Sequence, residues 1–176
     1  MDTMQAIKCR KSVRTFNGEL PTESQRRQII EAANASPVGL GRYGDMHLTV
    51  VTDKAALNMI NSAGAKVFGR EGDLLYGAPM LVIVSTTKDA LEKMANVAYS
   101  NAAGIVQNMA LAAVELGIGA CHIWGAIAAL PSDKELCNRL SIPDGFVPCC
   151  ALALGQSEYV YTERDIPSDR ISINTV

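Results

Sequence analysis

Between Ala102 and Val114 only Gln107 and Asn108 are strongly polar, inside a segment from about Lys88 to Leu116 that reads as one long helix ending at Gly117. A helix apolar nearly all the way round must be covered on all sides. That is hard to arrange at the surface of a 176-residue chain, which has one core to offer. Gly104 and the two amides interrupt the segment too often for a membrane span. Two arrangements remain: a second copy covers the helix across a dimer interface, or the chain's own elements enclose it. In the dimer, Gln107 and Asn108 are expected to bond across the interface, because buried amides need partners.

Two other runs read as buried strands, Met80–Val84 and Phe146–Leu154, the second closed by Gly155. His47–Val51 reads as a third strand. Helices are expected over residues 3–8, from the Thr22/Gln25 capping box to about Ala35, from Asp53 through Leu57 and Ile60 to Gly64, and from Ser132 to Leu140. Ile118–Gly125 reads as a connection into a short helix or turn ending at Pro131. The alternating end, Ile171–Val176, predicts a terminal strand that needs an edge to pair with, such as a partner's sheet. These elements describe one α+β unit with a C-terminal arm from about residue 158.

Charge singles out one stretch. Lys8, Arg10, Lys11, Ser12 and Arg14 put four cations and a hydroxyl within seven residues of a chain whose formal net charge is −2. If the stretch runs extended, Arg10, Ser12 and Arg14 share a side. Two guanidiniums around a hydroxyl suit a phosphate monoester, while a solvated basic helix end is the plainer alternative. The acidic balance and the lack of stacking aromatics argue against a nucleic-acid partner. Five cysteines without a CxxC spacing, and only two histidines, offer no metal set. Met1–Ile7 lacks a secretory pattern, so reduced cysteines in the cytoplasm are expected, with Cys149 and Cys150 facing opposite sides of their strand.

Gly39-Leu40-Gly41-Arg42-Tyr43-Gly44 spells GxGxxG, but a helix precedes it and a strand follows, the reverse of the dinucleotide fingerprint. Its glycines still allow a close backbone approach to a flat ligand. His122 is a candidate proton donor or a satisfied polar residue beside a turn. His47 reads as structural. Cys121, without a nearby resolving cysteine, reads as a small buried residue.

The order of these features resembles the nitroreductase family of flavin mononucleotide (FMN) oxidoreductases over essentially the whole chain. The likeness rests on Arg10-Lys11-Ser12-Val13-Arg14-Thr15-Phe16, similar to the family's R-R-S-x-R-x-F opening, and on Ser36-Pro37 and Ala78-Pro79 before two core strands. It rests also on Asn101–Gly119 with its LGIG ending, and on Ile142-Pro143-Asp144-Gly145 before a last strand ending Leu-Gly-Gln. The resemblance implies a mainly antiparallel sheet flanked by helices in an intertwined homodimer, with two FMN sites at the interface. It implies hydride from NADH or NADPH and delivery to a flat acceptor, such as a nitroaromatic or quinone, by a ping-pong mechanism. It assigns Arg10, Lys11, Ser12 and Arg14 to the phosphate and polar rim, and Ser36, Pro37 and Gly39 to the ring across the interface. Ile123, Trp124 and Gly125 fall at the flavin edge, Arg164 is a further phosphate contact (with Arg170 second to it), and Phe68, Arg70 and Trp124 line the substrate pocket.

Two departures stand out. Where many members carry Asn-x-Gln-Pro-Trp, this chain reads Arg42-Tyr43-Gly44-Asp45-Met46, so Arg42 is the candidate for charge beside the reduced flavin. Trp124 stands where some members carry glutamate, which implies a narrower, more apolar pocket. The missing amides raise an alternative, a flavin-binding storage or sensing protein.

Overall fold

The two continuous apolar runs become the central strands, β2 (Met80–Thr87) and β4 (Phe146–Gly155), flanked by β1 (Met46–Val51) and β3 (Gly119–Ile123). The computed structural model describes residues 1–176, the whole chain. The sheet order is β1-β2-β4-β3 with every pairing antiparallel. Alternation along the strands divides the core into two layers. Met80, Val82, Val84, Leu152 and Leu154 face one side, and Leu81, Ile83, Ala151 and Ala153 the other.

The first side is covered by α2 (Glu23–Asn34) and α4 (Lys88–Glu115), with α1 (Thr3–Cys9) against α4. The second is covered by α3 (Lys54–Val67) and α5 (Lys134–Arg139), with 3-10 turns at Gly125–Ile127 and Leu130–Ser132. The capping box opens α2 as expected, with Thr22 Oγ1 accepting from the Gln25 N–H and the Gln25 side chain accepting from the Thr22 N–H. Gly117, at φ +68°, ends α4: the Gly117 N–H donates to the Val114 carbonyl and the Ile118 N–H to that of Ala113. No helix is long and apolar enough to cross a membrane.

α4 is enclosed on one side only. Ala98, Ala102, Ile105, Val106, Met109, Ala110, Ala113 and Val114 pack inward, each larger side chain contributing about 1.5–3 kcal/mol. The opposite face stays open at Tyr99, Ser100 and Ala103. Asn108 needs no second subunit: its Nδ2 donates to Ser36 Oγ of the same chain at 2.9 Å.

Several expectations are corrected. α3 does not stop at Gly64 but runs on to Val67. Gly64 is there because a Cβ would strike the Ala126 backbone, its Cα at 2.6 Å. Residues 119–123, read as a connection, form the edge strand β3, too short for a periodic signal. Asp133, not Ser132, caps α5, its carboxylate accepting from the Leu136 N–H at 2.9 Å. Cys149 and Cys150 do not face opposite sides. A bulge between the Val84/Cys150 and Ser85/Pro148 pairs turns both toward the α2–α4 layer, next to a proline that cannot donate to the ladder. Burial pushes their thiols up to about 11 and about 12. Ile171–Val176 pairs with no strand of its own chain and is exposed throughout.

Candidate functional site

The basic stretch leaves α1 extended. Arg10 caps the helix with its N–H on the Ala6 carbonyl and ψ of 124°. The chain then lies along the free edge of β3, where the Val13 N–H donates to the Ala120 carbonyl at 2.9 Å. Val13 turns into the core. Phe16 lies against Gly119 and Gly155, where added Cβ atoms would come within about 3.1 Å of its ring. The Asn17 N–H donates to the Gln156 carbonyl, the Gln156 N–H to that of Glu19, and Ser157 Oγ to that of Thr15. The segment is thus clamped between β3 and the chain that follows β4.

With Val13 inside, Arg10, Ser12 and Arg14 take the other side, as alternation requires. All three act on the Cys121 thiol: burial raises its pKa, and the Arg14 charge, the Ser12 hydroxyl and Arg10 oppose the rise. Burial, assisted by Arg10, lowers the pKa of His122. The lowered pKa disfavours the protonated imidazole that a proton donor would need. Tyr161, pushed up to about 12 mainly by burial, donates to the Ile118 carbonyl at 2.9 Å.

Of the clustered cations, only Lys8 has a carboxylate partner, Glu163 at 3.4 Å. Lys11 Nζ sits 5.1 Å from the Tyr159 ring centre and the Arg14 guanidinium 5.7 Å from that of Tyr76. A cavity of about 530 Å³ opens here, lined by Lys11, Ser12, Arg14, Asn17, Ser157 and Glu158 among others. Arg164 points elsewhere: its Nε and Nη2 donate to the Lys8 and Ile7 carbonyls at 2.8 and 3.1 Å. It braces the C-terminal arm on the last turn of α1, where a cation is favoured. Arg170 is exposed on the tail. Sequence reasoning missed Tyr76, and the turn Asp73–Gly77 was its signal. Asp73 accepts from the Leu75 and Gly77 N–H groups and holds Tyr76 at φ +59°.

The other expected residues run along α4. Ser36 is fully buried, donating to the Ala32 carbonyl and accepting from Asn108. Pro37 is exposed beside it. The Gly39 N–H donates to Asn101 Oδ1 at 3.0 Å, and a Cβ there would meet Val97 at 2.7 Å. Arg42 pairs with Asp45 at 2.7 Å and Asp89 at 3.6 Å. Asn101 lies about 21 Å along the helix from Glu115, which pairs with the Met1 amino group. Within one chain, then, this loop and the N-terminus meet different parts of α4.

At the far end of β3, Ile123 is buried in the α3–α5 layer, Trp124 is 62% exposed and Gly125 lies under Phe68. Phe68 and Trp124 meet edge to face at 5.8 Å. Arg70 is exposed two residues on, its N–H donating to the Ala65 carbonyl.

An antiparallel sheet sandwiched by helices, with unpaired guanidiniums along its edge, defines an α+β protein. The chain belongs to the nitroreductase family, whose model matches residues 7–156. It is 29% identical over 175 residues to a candidate NADH dehydrogenase/NAD(P)H nitroreductase of Methanothermobacter thermautotrophicus, across 98% of this chain and 87% of that one. Two solved FMN-bound nitroreductases, from Desulfitobacterium hafniense and Bacteroides fragilis, share the fold at a TM-score of 0.82 and 26% identity. Each alignment covers 99% of this chain and 100% of theirs.

Proposed function

We propose that the chain is an FMN-dependent oxidoreductase that draws a hydride from NADH or NADPH and reduces a flat acceptor, such as a nitroaromatic or quinone, in ping-pong order. One observation carries the reading. Lys11 and Arg14 line a cavity around the half-buried Ser12 hydroxyl, Arg10 follows on the same side of the segment, and none of the three cations forms an ion pair, not even with Glu158 in the cavity wall. Unbalanced charge held by a clamped backbone suits a phosphate, because the arginine forks need no rearrangement to accept paired oxygens. FMN supplies the two-electron redox chemistry when bound.

The chain's own part is to hold and surround it. Arg10, Ser12 and Arg14 grip the phosphate, with Lys11 at the rim. Ile123, Trp124 and Gly125 bring the end of β3 to the ring edge, where backbone donors stabilise developing charge. Phe68 and Arg70 border the acceptor. Ser36, Pro37 and Gly39 belong to the ring-facing side of the partner chain in a homodimer. Arg164 supports the phosphate set indirectly by tying the arm to α1. The FMN-bound relatives and the nicotinamide named for the Methanothermobacter protein support this reading.

The test is flavin retention. Arg10→Ala and Arg14→Ala are each expected to weaken FMN binding at least about tenfold, since a charged hydrogen bond contributes ~1.5–3 kcal/mol. Unchanged retention in the double variant would remove the phosphate site from this segment.

A further inference from the structure

Arg70 is a guanidinium with nothing to balance it. It takes part in none of the chain's ion pairs, and its side chain donates to no carbonyl or amide oxygen. Of the acids near it in sequence, Asp73 spends its carboxylate on the N–H groups of Leu75 and Gly77. Glu71 is exposed and likewise unpaired, and Lys66 on the last turn of α3 adds a further positive charge. Two residues before Arg70, Phe68 is 42% exposed and packs edge to face on Trp124, itself 62% exposed. Gly125 lies behind Phe68, where even a Cβ would come to 3.7 Å of the ring. Two large rings left this open mark a contact surface. Their tilted pairing presents aromatic faces for a flat ligand.

We infer that Phe68, Trp124 and Arg70 form a recognition site for a flat aromatic anion, the rings stacking on its plane and Arg70 meeting its carboxylate or phosphate. The inference rests on the proposed reading only in that it makes this rim the substrate side of the flavin site. Arginine is suited to the task because its planar fork both stacks and donates in pairs. The anion has two sources with one chemistry. It is either an acidic acceptor or the phosphates of the nicotinamide nucleotide, and the acceptor is taken as the occupant because two exposed rings in contact, one of them two residues before the cation on a tight turn, suit one flat acid; the titration below separates the two. Arg70 is then a specificity determinant rather than a catalytic residue.

Trp124 is the only tryptophan, so the protein's tryptophan fluorescence reports this site alone. Titrating the purified protein with 4-nitrobenzoate and with its neutral isostere 4-nitrobenzamide separates charge from shape. The acid is expected to bind about three- to fivefold more tightly at low salt, the range of an exposed ion pair, with the preference fading as salt rises. Arg70→Ala should bring the acid down to the amide's affinity, Arg70→Lys should keep part of the preference, and Phe68→Ala should weaken both ligands. Equal affinities in the parent protein, or a preference that survives Arg70→Ala, would overturn the inference. So would an Arg70→Ala variant in which the KM for NADH rises while the acid and amide affinities stay as they were, since that assigns the cation to the donor. Because binding is read with or without flavin, loss of flavin retention would sink the proposed function and leave this result standing.

Discussion

Of the chain's glycines, Gly64 has the least room for a side chain. A Cβ added inside α3 would meet the Ala126 backbone, which cannot swing away as a side-chain tip could. Gly64→Ala is expected to destabilise the fold by about 1–3 kcal/mol, the range of overpacking, despite alanine's better helix propensity. A lower urea midpoint with an unchanged slope is the expected reading. Cys149 and Cys150 make a second residue-scale prediction. Their folded pKa values, about 11 and about 12, lie above the ordinary thiol value of 9.0. The unfolded chain therefore gives up these protons first as pH rises. The stability they confer is complete below about pH 9 and is lost as pH climbs through 11 and 12. Alkaline unfolding should set in near pH 9 and move upward in the Cys149→Ala/Cys150→Ala variant. Arg42 is balanced by Asp45 and Asp89, so Arg42→Ala should leave the reduction potential of bound flavin unmoved; a shift would put its charge beside the ring.

At the scale of elements, α4 depends on Thr87, whose Oγ1 accepts from the Ala90 N–H and donates to Asp45. Thr87→Ala is expected to cost about 1 kcal/mol through the lost cap, read as a drop in thermal midpoint. The elements legible in the sequence were those with a long signal: β2 and β4 as unbroken apolar runs, α2 by its capping box, α4 by length and its terminal glycine. The basic segment was legible for the same kind of reason, since alternation alone set Arg10, Ser12 and Arg14 opposite Val13. What stayed hidden depends on contacts distant in sequence. β3 has five residues and takes its strand form from pairing with β4. The end of α3 was misjudged because Gly64 answers to Ala126 rather than to helix termination. The bulge that turns Cys149 and Cys150 to one side follows from the β2–β4 register. Ser36 and Arg42 were matched by position, and only the fold reveals their internal partners, Asn108 and the Asp45/Asp89 pair.

The whole molecule leaves one face of α4 and the end of its arm without a partner. Tyr99 and Ala103 are open on the helix, a Cβ at Gly104 would touch nothing within 4 Å, and Ile171, Ile173 and Val176 are exposed on the tail. In a homodimer burying these surfaces, as proposed, the loop at Gly39 would meet the basic segment of the other chain. Ala103→Glu should shift the mass in light scattering toward one chain and loosen FMN with it. The central claim concerns electrons, and its most direct measurement is the flavin absorbance of the purified protein under anaerobic conditions on adding NADH or NADPH. The account predicts a yellow protein that one of these nucleotides bleaches and that a nitroaromatic or quinone then restores. A colourless protein that takes up no FMN would contradict it, and a yellow one that neither nucleotide bleaches would leave a flavin-holding protein in place of an enzyme.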